Sequence, residues 1–280
     1  MIKTICVCGA GTMGSGITQV IASNNIHVIQ FDVNGSMLEK SKTSITNNLQ
    51  KLVDKGRFQQ AQKKDILQRI VFTSSIEDCV GELIIEAVVE DKLIKQSLFD
   101  ELAVINTDAA IFATNTSSIS ITALSSGKQY APRFAGLHFF NPASLMKLVE
   151  IIRTVHTTDD VINTLKKITE QLGKTAVVCN DAPGFIVNRV ARHYYLEAMQ
   201  IAEKGIADIN NIDTIMEATG FKMGPFKLMD LIGLDVNYAV SNIVWDDLGR
   251  PERLKPSRLQ KDKVDANELG KKSGKGFYEY

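Results

Sequence analysis

The chain has 280 residues, enough for one large domain or two moderate ones around a sizeable core. Apolar residues make up 44 % and charged residues 23 %, which excludes a disordered or fibrous chain. Lys plus Arg and Asp plus Glu both total 32, so the balance gives no reason to expect nucleic acid or an acidic membrane as the main partner.

Met1-Ile2-Lys3-Thr4-Ile5 lead straight into a strand-like run, with no apolar leader or cleavage site. Apolar stretches such as Leu83-Ile84-Ile85 are too short to span a bilayer. These features predict a soluble, cytoplasmic protein. The four cysteines, Cys6, Cys8, Cys79 and Cys179, match no zinc spacing. They read as buried, reduced thiols, and no metal site is expected.

Ile5 to Cys8 reads as a first strand, Thr12 to Ser23 as a helix, and His27 to Phe31 as a second strand. A long amphipathic stretch from Ser36 to Lys55 follows, then a helical piece ending at Gln68. Further strands are predicted at Ile70 to Phe72, Leu83 to Ile85, Ile111 to Ala113 and Phe134 to Leu137. Leu148 to Ile152 and Ala176 to Val178 complete the set. Strands alternating with helices imply an α/β fold with a parallel, doubly wound sheet. The Pro183-Gly184 pair breaks the pattern, and beyond it no convincing strand precedes the last few residues. Ile186 to Lys204, Ile209 to Ala218 and Leu228 to Leu248 read as helices, with Gly233 a weak point in the last. The expected division is a Rossmann-like domain over 1–182 and an all-helical domain over 183–280.

Gly9-Ala10-Gly11-Thr12-Met13-Gly14 is a G-x-G-x-x-G turn between a strand and a helix. Gly9 permits the tight turn, Gly11 lets the backbone approach a pyrophosphate, and Gly14 lets the helix pack close to the sheet. The helix N-terminus then offers N–H groups to phosphates. Asp32, at the end of the second strand, suits ribose hydroxyls and would repel a 2′-phosphate, which favours NAD.

Hydride transfer from an alcohol needs a proton acceptor, usually histidine. His27 begins a strand, His156 lies in a polar turn, and His193 lies within a helix. His138 ends a predicted strand, where the ligand crevice of an α/β sheet opens. On position alone, a crevice-facing base and a satisfied core histidine are equally good readings. Glu150, inside the apolar run Leu148 to Ile152, needs a buried partner, and a His–Glu pair would supply one. A Glu on the exposed face of an edge strand is the alternative.

Thr114-Asn115-Thr116-Ser117-Ser118, Phe134 to Pro142, and Pro183 to Arg189 together resemble the 3-hydroxyacyl-CoA dehydrogenases. So do Gly224 to Asp230, Gly233-Leu234-Asp235 and the run Gly270 to Tyr278. The resemblance spans nearly the whole chain, and its compact length is similar to the bacterial 3-hydroxybutyryl-CoA enzymes. It implies interconversion of short (S)-3-hydroxyacyl-CoA and 3-oxoacyl-CoA, with His138 as acid–base group and Glu150 orienting it. It implies that Ser117 and Asn188 bond the reacting oxygen or thioester carbonyl. Glu90, Lys95, Ser117, Asn141 and Lys272 fall at NAD-contacting positions, and Asn48 and Lys55 at coenzyme A positions. It also implies a homodimer or higher homo-oligomer, with the helical domain forming the dimer interface.

Lys51, Lys55 and Arg57 concentrate positive charge near one helix end, suiting CoA phosphates or merely a solvated face. The tail departs from the family pattern at Arg258 and at Ala266-Asn267, which bears on Lys272. Competing readings are a sugar-acid dehydrogenase on the same scaffold (gulonate, for example), a crystallin-like relative without activity, and a cofactor-sensing module.

Overall fold

The computed structural model describes residues 2–280. The chain divides into two compact units, Met1–Asp181 and Ala182–Tyr280.

The first unit is an eight-stranded sheet with flanking helices. Its strands are β1 (Thr4–Cys8), β2 (His27–Phe31), β3 (Ile70–Thr73), β4 (Leu83–Glu86), β5 (Ile111–Thr114), β6 (Phe134–Phe139), β7 (Leu148–Arg153) and β8 (Thr175–Asn180). The helices between them are α1 (Thr12–Ser23), α2 (Gly35–Asp54), α3 (Gln60–Gln68), α4 (Lys92–Ile105), the short α5 (Ile121–Ser125) and α6 (Asp159–Gln171). The sheet order is β3-β2-β1-β4-β5-β6-β7-β8. The order reverses direction between β1 and β4, which opens a crevice at their C-terminal ends. Strands β1, β4 and β5 are almost wholly buried, as expected of strands covered on both faces. The core beneath them is aliphatic, centred on Ile5, Val7, Ile17, Leu83, Ile85 and Val149.

The sheet is not parallel throughout, which corrects the sequence expectation. Strand β7 runs antiparallel to β6, with His138 opposite Glu150 and Leu137 opposite Ile151. A parallel crossover needs roughly a dozen residues or more, and the segment between Phe139 and Leu148 is shorter than that. The chain therefore turns back on itself and pairs directly.

The second unit contains α7 (Val187–Glu203), α8 (Ile209–Ala218), α9 (Pro225–Ile232), α10 (Leu234–Asp247) and α11 (Arg258–Asp265). Strand-like pairing near its end is confined to isolated bridges, Gly270 with Lys275 and Lys275 with Glu279. The helix expected over Leu228 to Leu248 is two helices. It breaks at Gly233, whose φ of +103° no continuous helix accommodates, and α9 starts earlier, on Pro225. Tyr195, Met199, Phe226, Met229, Leu234 and Val244 form this unit's core.

Two fully buried aspartates tie the last residues to that core. Asp213 accepts from Phe226 N, Lys227 N and the Tyr278 hydroxyl. Asp230 accepts from Phe277 N and Tyr278 N at 2.9 Å each, and from the Tyr280 hydroxyl at 3.1 Å. Asp230→Ala should strip these donors of their acceptor and destabilise the unit by about 3 kcal/mol, read as a lower unfolding midpoint by calorimetry. An unchanged midpoint would show the clasp to be decorative. Among the described residues, no helix is long and apolar enough to cross a membrane.

Candidate active site and dinucleotide cleft

The glycine-rich turn follows β1 at the point where the sheet order reverses. Gly9 has a φ of +115°, and a Cβ there would lie 2.4 Å from Ala87 O, so the turn tolerates no side chain. Gly9 N donates to Phe31 O at 2.7 Å, fixing the turn against β2. Helix α1 has no side-chain cap on its N-terminus and no acidic residue in its first turn. Its leading N–H groups thus suit a pyrophosphate.

Asp32 lies beside this turn with both oxygens oriented by backbone N–H groups. Oδ2 accepts from Ala10 at 2.8 Å and Oδ1 from Asn34 at 2.9 Å. Both Gly11 and Asp32 line a cleft of ≈ 1210 Å³, with Ser75, Ile76 and Val88 on other walls. Among the described residues no Lys or Arg lines that cleft, so a 2′-phosphate would meet Asp32 without compensation. Asp32→Ala should weaken NADH binding roughly 10- to 100-fold, the worth of hydrogen bonds to a charged acceptor, measured by fluorescence titration. Undiminished affinity would remove Asp32 from the ribose site.

A smaller pocket of ≈ 280 Å³ lies between α1, α2 and the loop after β6. Asn48 and Asn141 both line it, together with Gly11, Thr12 and Lys40. Asn48 Nδ2 donates to Gln19 Oε1 at 3.4 Å. Lys51 is exposed in the last turn of α2, and Lys55 is exposed at its C-terminal cap.

Of the four histidines, His138 is the one that is buried, at 5 % exposure; His27, His156 and His193 are exposed. Its Nδ1 lies 2.9 Å from Oε2 of Glu150, which is fully buried. The two are directly opposed across β6 and β7, so the ladder sets their separation. The Phe140 ring packs on the imidazole, with centroids 4.5 Å apart. Asn115, after β5, accepts from Phe139 N at 2.8 Å and pins the end of β6 next to His138.

Ser117 sits on a loop organised by a single carboxylate oxygen. Glu90 Oε1 accepts from the Thr116 hydroxyl, from Ser117 N at 3.3 Å and from the Ser118 hydroxyl at 2.7 Å. Beneath it, the buried ammonium of Lys95 lies 2.5 Å from Glu86 Oε1 and 3.2 Å from Glu90 Oε2. Glu86 also accepts from the Thr114 hydroxyl at 2.6 Å and from Val88 N at 2.7 Å. Burial raises the pKa of Glu90, but Lys95 and the two hydroxyls outweigh it and hold the carboxyl below its ordinary value. Lys95, expected to meet NAD, is buried and paired with both Glu86 and Glu90.

In the helical unit, Asn188 lies in the first turn of α7. Its carbonyl accepts from Arg192 Nε at 3.1 Å. Arg192 is buried and donates to Asn237 O at 2.7 Å and Ser241 Oγ at 2.8 Å; burial pulls its guanidinium down to about 10. Lys272 is ion-paired with Asp235 at 2.6 Å. Burial raises Asp235, but the Lys272 hydrogen bond and charge together with backbone N–H donors, Val236 N among them, outweigh it and leave its pKa lowered.

Residues 4–182 match the family described as "3-hydroxyacyl-CoA dehydrogenase, NAD binding domain", and residues 184–280 match its C-terminal domain. A probable 3-hydroxybutyryl-CoA dehydrogenase of Deinococcus radiodurans is 41 % identical over 98 % of this chain and 99 % of its own. The 3-hydroxyadipyl-CoA dehydrogenase of Escherichia coli is 40 % identical over the whole chain, which spans 59 % of that relative's length. The crystal structure of (S)-3-hydroxybutyryl-CoA dehydrogenase PaaH1 from Ralstonia eutropha superposes with a TM-score of 0.95 at 34 % identity, covering 100 % of this chain and 99 % of that one. The chain belongs to the 3-hydroxyacyl-CoA dehydrogenase family. Its first unit is an NAD-binding domain of that family, and the chain is an oxidoreductase.

In this 3-hydroxyacyl-CoA dehydrogenase, sequence reasoning did not single out Glu86, Asn115 or Arg192. A signal existed for Glu86, an acid closing the run Leu83-Ile84-Ile85. Arg192 gave none, because its acceptors Asn237 and Ser241 come from a distant helix.

Proposed function

We propose that this dehydrogenase interconverts short (S)-3-hydroxyacyl-CoA and 3-oxoacyl-CoA. The observation that carries the proposal is the buried His138–Glu150 pair at 2.9 Å. With Nδ1 engaged by Glu150, proton exchange with the substrate falls to Nε2. In oxidation His138 takes the 3-hydroxyl proton, and Glu150 orients the ring and stabilises the imidazolium. The chemistry NAD supplies when bound is acceptance of the C3 hydrogen with its electron pair. Ser117 and Asn188 hydrogen-bond the reacting oxygen or thioester carbonyl. Glu90, Asn141 and Lys272 serve the cofactor, with Lys95 acting through Glu90. Asn48, Lys51 and Lys55 serve coenzyme A, whose phosphates suit the basic end of α2.

The assignment to short chains follows relatives named for 3-hydroxybutyryl-CoA. The reading extends to a cytoplasmic enzyme of fatty-acid or butanoate metabolism that works as a homodimer. Exposed apolar side chains on the helical unit, among them Val190 (65 %), Leu231 (53 %) and Val236 (48 %), favour burial against a second copy.

The test is NADH consumption with acetoacetyl-CoA, longer 3-oxoacyl-CoA thioesters and free sugar acids side by side. The highest kcat/KM is expected for acetoacetyl-CoA. Turnover of gulonate without turnover of any thioester would overturn the proposal.

A further inference from the structure

Three of the four cysteines converge. The sulfur atoms of Cys6, Cys8 and Cys79 all lie within 4.8 Å of one another, and all three residues are fully buried. The Cys6 and Cys8 sulfurs are 3.8 Å apart. Three thiolates bound to one ion at about 2.3 Å would stand about 4 Å from one another. The sulfurs thus already have nearly the spacing of a trigonal metal centre.

The backbone around them is held in place. Cys6 and Cys8 point to one face of β1, which pairs with β2 and β4 along its length. Cys79 enters from the segment between β3 and β4. Its carbonyl accepts from Asn106 Nδ2 at 2.8 Å, and the same side chain accepts from Gly81 N at 3.0 Å. Asn106 therefore holds the backbone that carries the third sulfur, and Cys79 Sγ itself lies 3.9 Å from Ser75 O. The sequence hid this arrangement, because its third member comes from a distant segment and no zinc-type spacing results.

We infer that Cys6, Cys8 and Cys79 form a binding site for one thiophilic d10 divalent cation of the zinc and cadmium class. Soft thiolates select such ions over hard ones. Binding exchanges three thiol protons for the ion and leaves the centre with a single net negative charge. The site adjoins the dinucleotide cleft without belonging to it. Cys8 directly precedes Gly9, and Ser75 and Glu77, on the loop leading to Cys79, line the cleft. Because the sulfurs are buried, uptake requires local opening and proceeds slowly.

The experiment titrates the reduced, full-length protein with Cd2+ and follows sulfur-to-cadmium charge-transfer absorption. X-ray absorption then counts the sulfur neighbours of the bound ion in the unaltered protein. One equivalent bound by three sulfurs is expected, with affinity at least tenfold lower in Cys79→Ser and unchanged in Cys179→Ser. No absorption band after prolonged incubation, fewer than three sulfur neighbours, or dependence on Cys179 in place of Cys79 would each overturn the inference. The sulfur count does not depend on any variant folding.

Discussion

His138→Gln is expected to lower kcat for acetoacetyl-CoA reduction about a thousandfold, within the range that general acid–base catalysis supplies. Gln fills a similar volume and can still reach Glu150, but it cannot exchange a proton near neutral pH. The imidazole lies at the end of β6 and the cofactor turn follows β1, so NADH affinity should stay within about twofold, a change of less than 0.5 kcal/mol. Steady-state NADH absorbance gives the first quantity and fluorescence titration the second. A collapse of NADH affinity with kcat preserved would remove His138 from proton transfer. Glu150→Gln makes a useful companion. It keeps the hydrogen-bonding shape but no longer favours the proton on Nδ1, so kcat should fall while the fold persists.

Lys95→Met should destabilise the NAD-binding unit by about 3–5 kcal/mol, because it leaves the wholly buried Glu86 carboxylate without its cation. The effect should reach the Thr114 to Ser118 loop, since Lys95 also lies 3.2 Å from Glu90, whose Oε1 gathers that loop. NADH affinity should therefore fall together with the unfolding midpoint. Replacing Glu86 by Gln as well should recover much of the lost stability, because no uncompensated buried charge remains. If the single variant is as stable as the unaltered protein, the buried pair contributes nothing.

Acidity probes the same network from the other side. Glu90 is held below its ordinary value of 4.5. Its contribution to stability is therefore full above pH 4.5 and lost as the pH falls through its lower, folded value. Lys95 is one of the groups holding it down, so Lys95→Met should move that loss to higher pH. Unfolding midpoints measured across the acidic range would show the shift.

The dinucleotide turn was legible in the sequence because everything it needs is local. Gly9, Gly11 and Gly14 lie within one turn, and Asp32 follows at the end of the next strand. The first two helices of the helical unit were legible because their amphipathic runs are long; Gly233 divided the third run, and the short, strongly charged α11 was not read as a helix. The partnership of His138 with Glu150 was half visible. A carboxylate in an apolar run demands a partner, but only the observed register of β6 and β7 brings the two together. The antiparallel turn was missed because strand patterning carries no direction, although loop length does. Arg192 and the Asp213 and Asp230 clasps were invisible for a common reason. Their partners are backbone or hydroxyl groups from distant segments, which leave no charge pattern to read.

Direct opposition across two antiparallel strands has a consequence for misfolding. Side chains alternate faces along a strand, so a slip of β7 by one residue would carry Glu150 to the far side of the sheet and leave the imidazole facing an aliphatic chain. With His138 in the proton-transfer role proposed above, a molecule with that pairing error is expected to be inert, not altered in specificity. Quality of folding and fraction of active enzyme should therefore rise and fall together in any preparation.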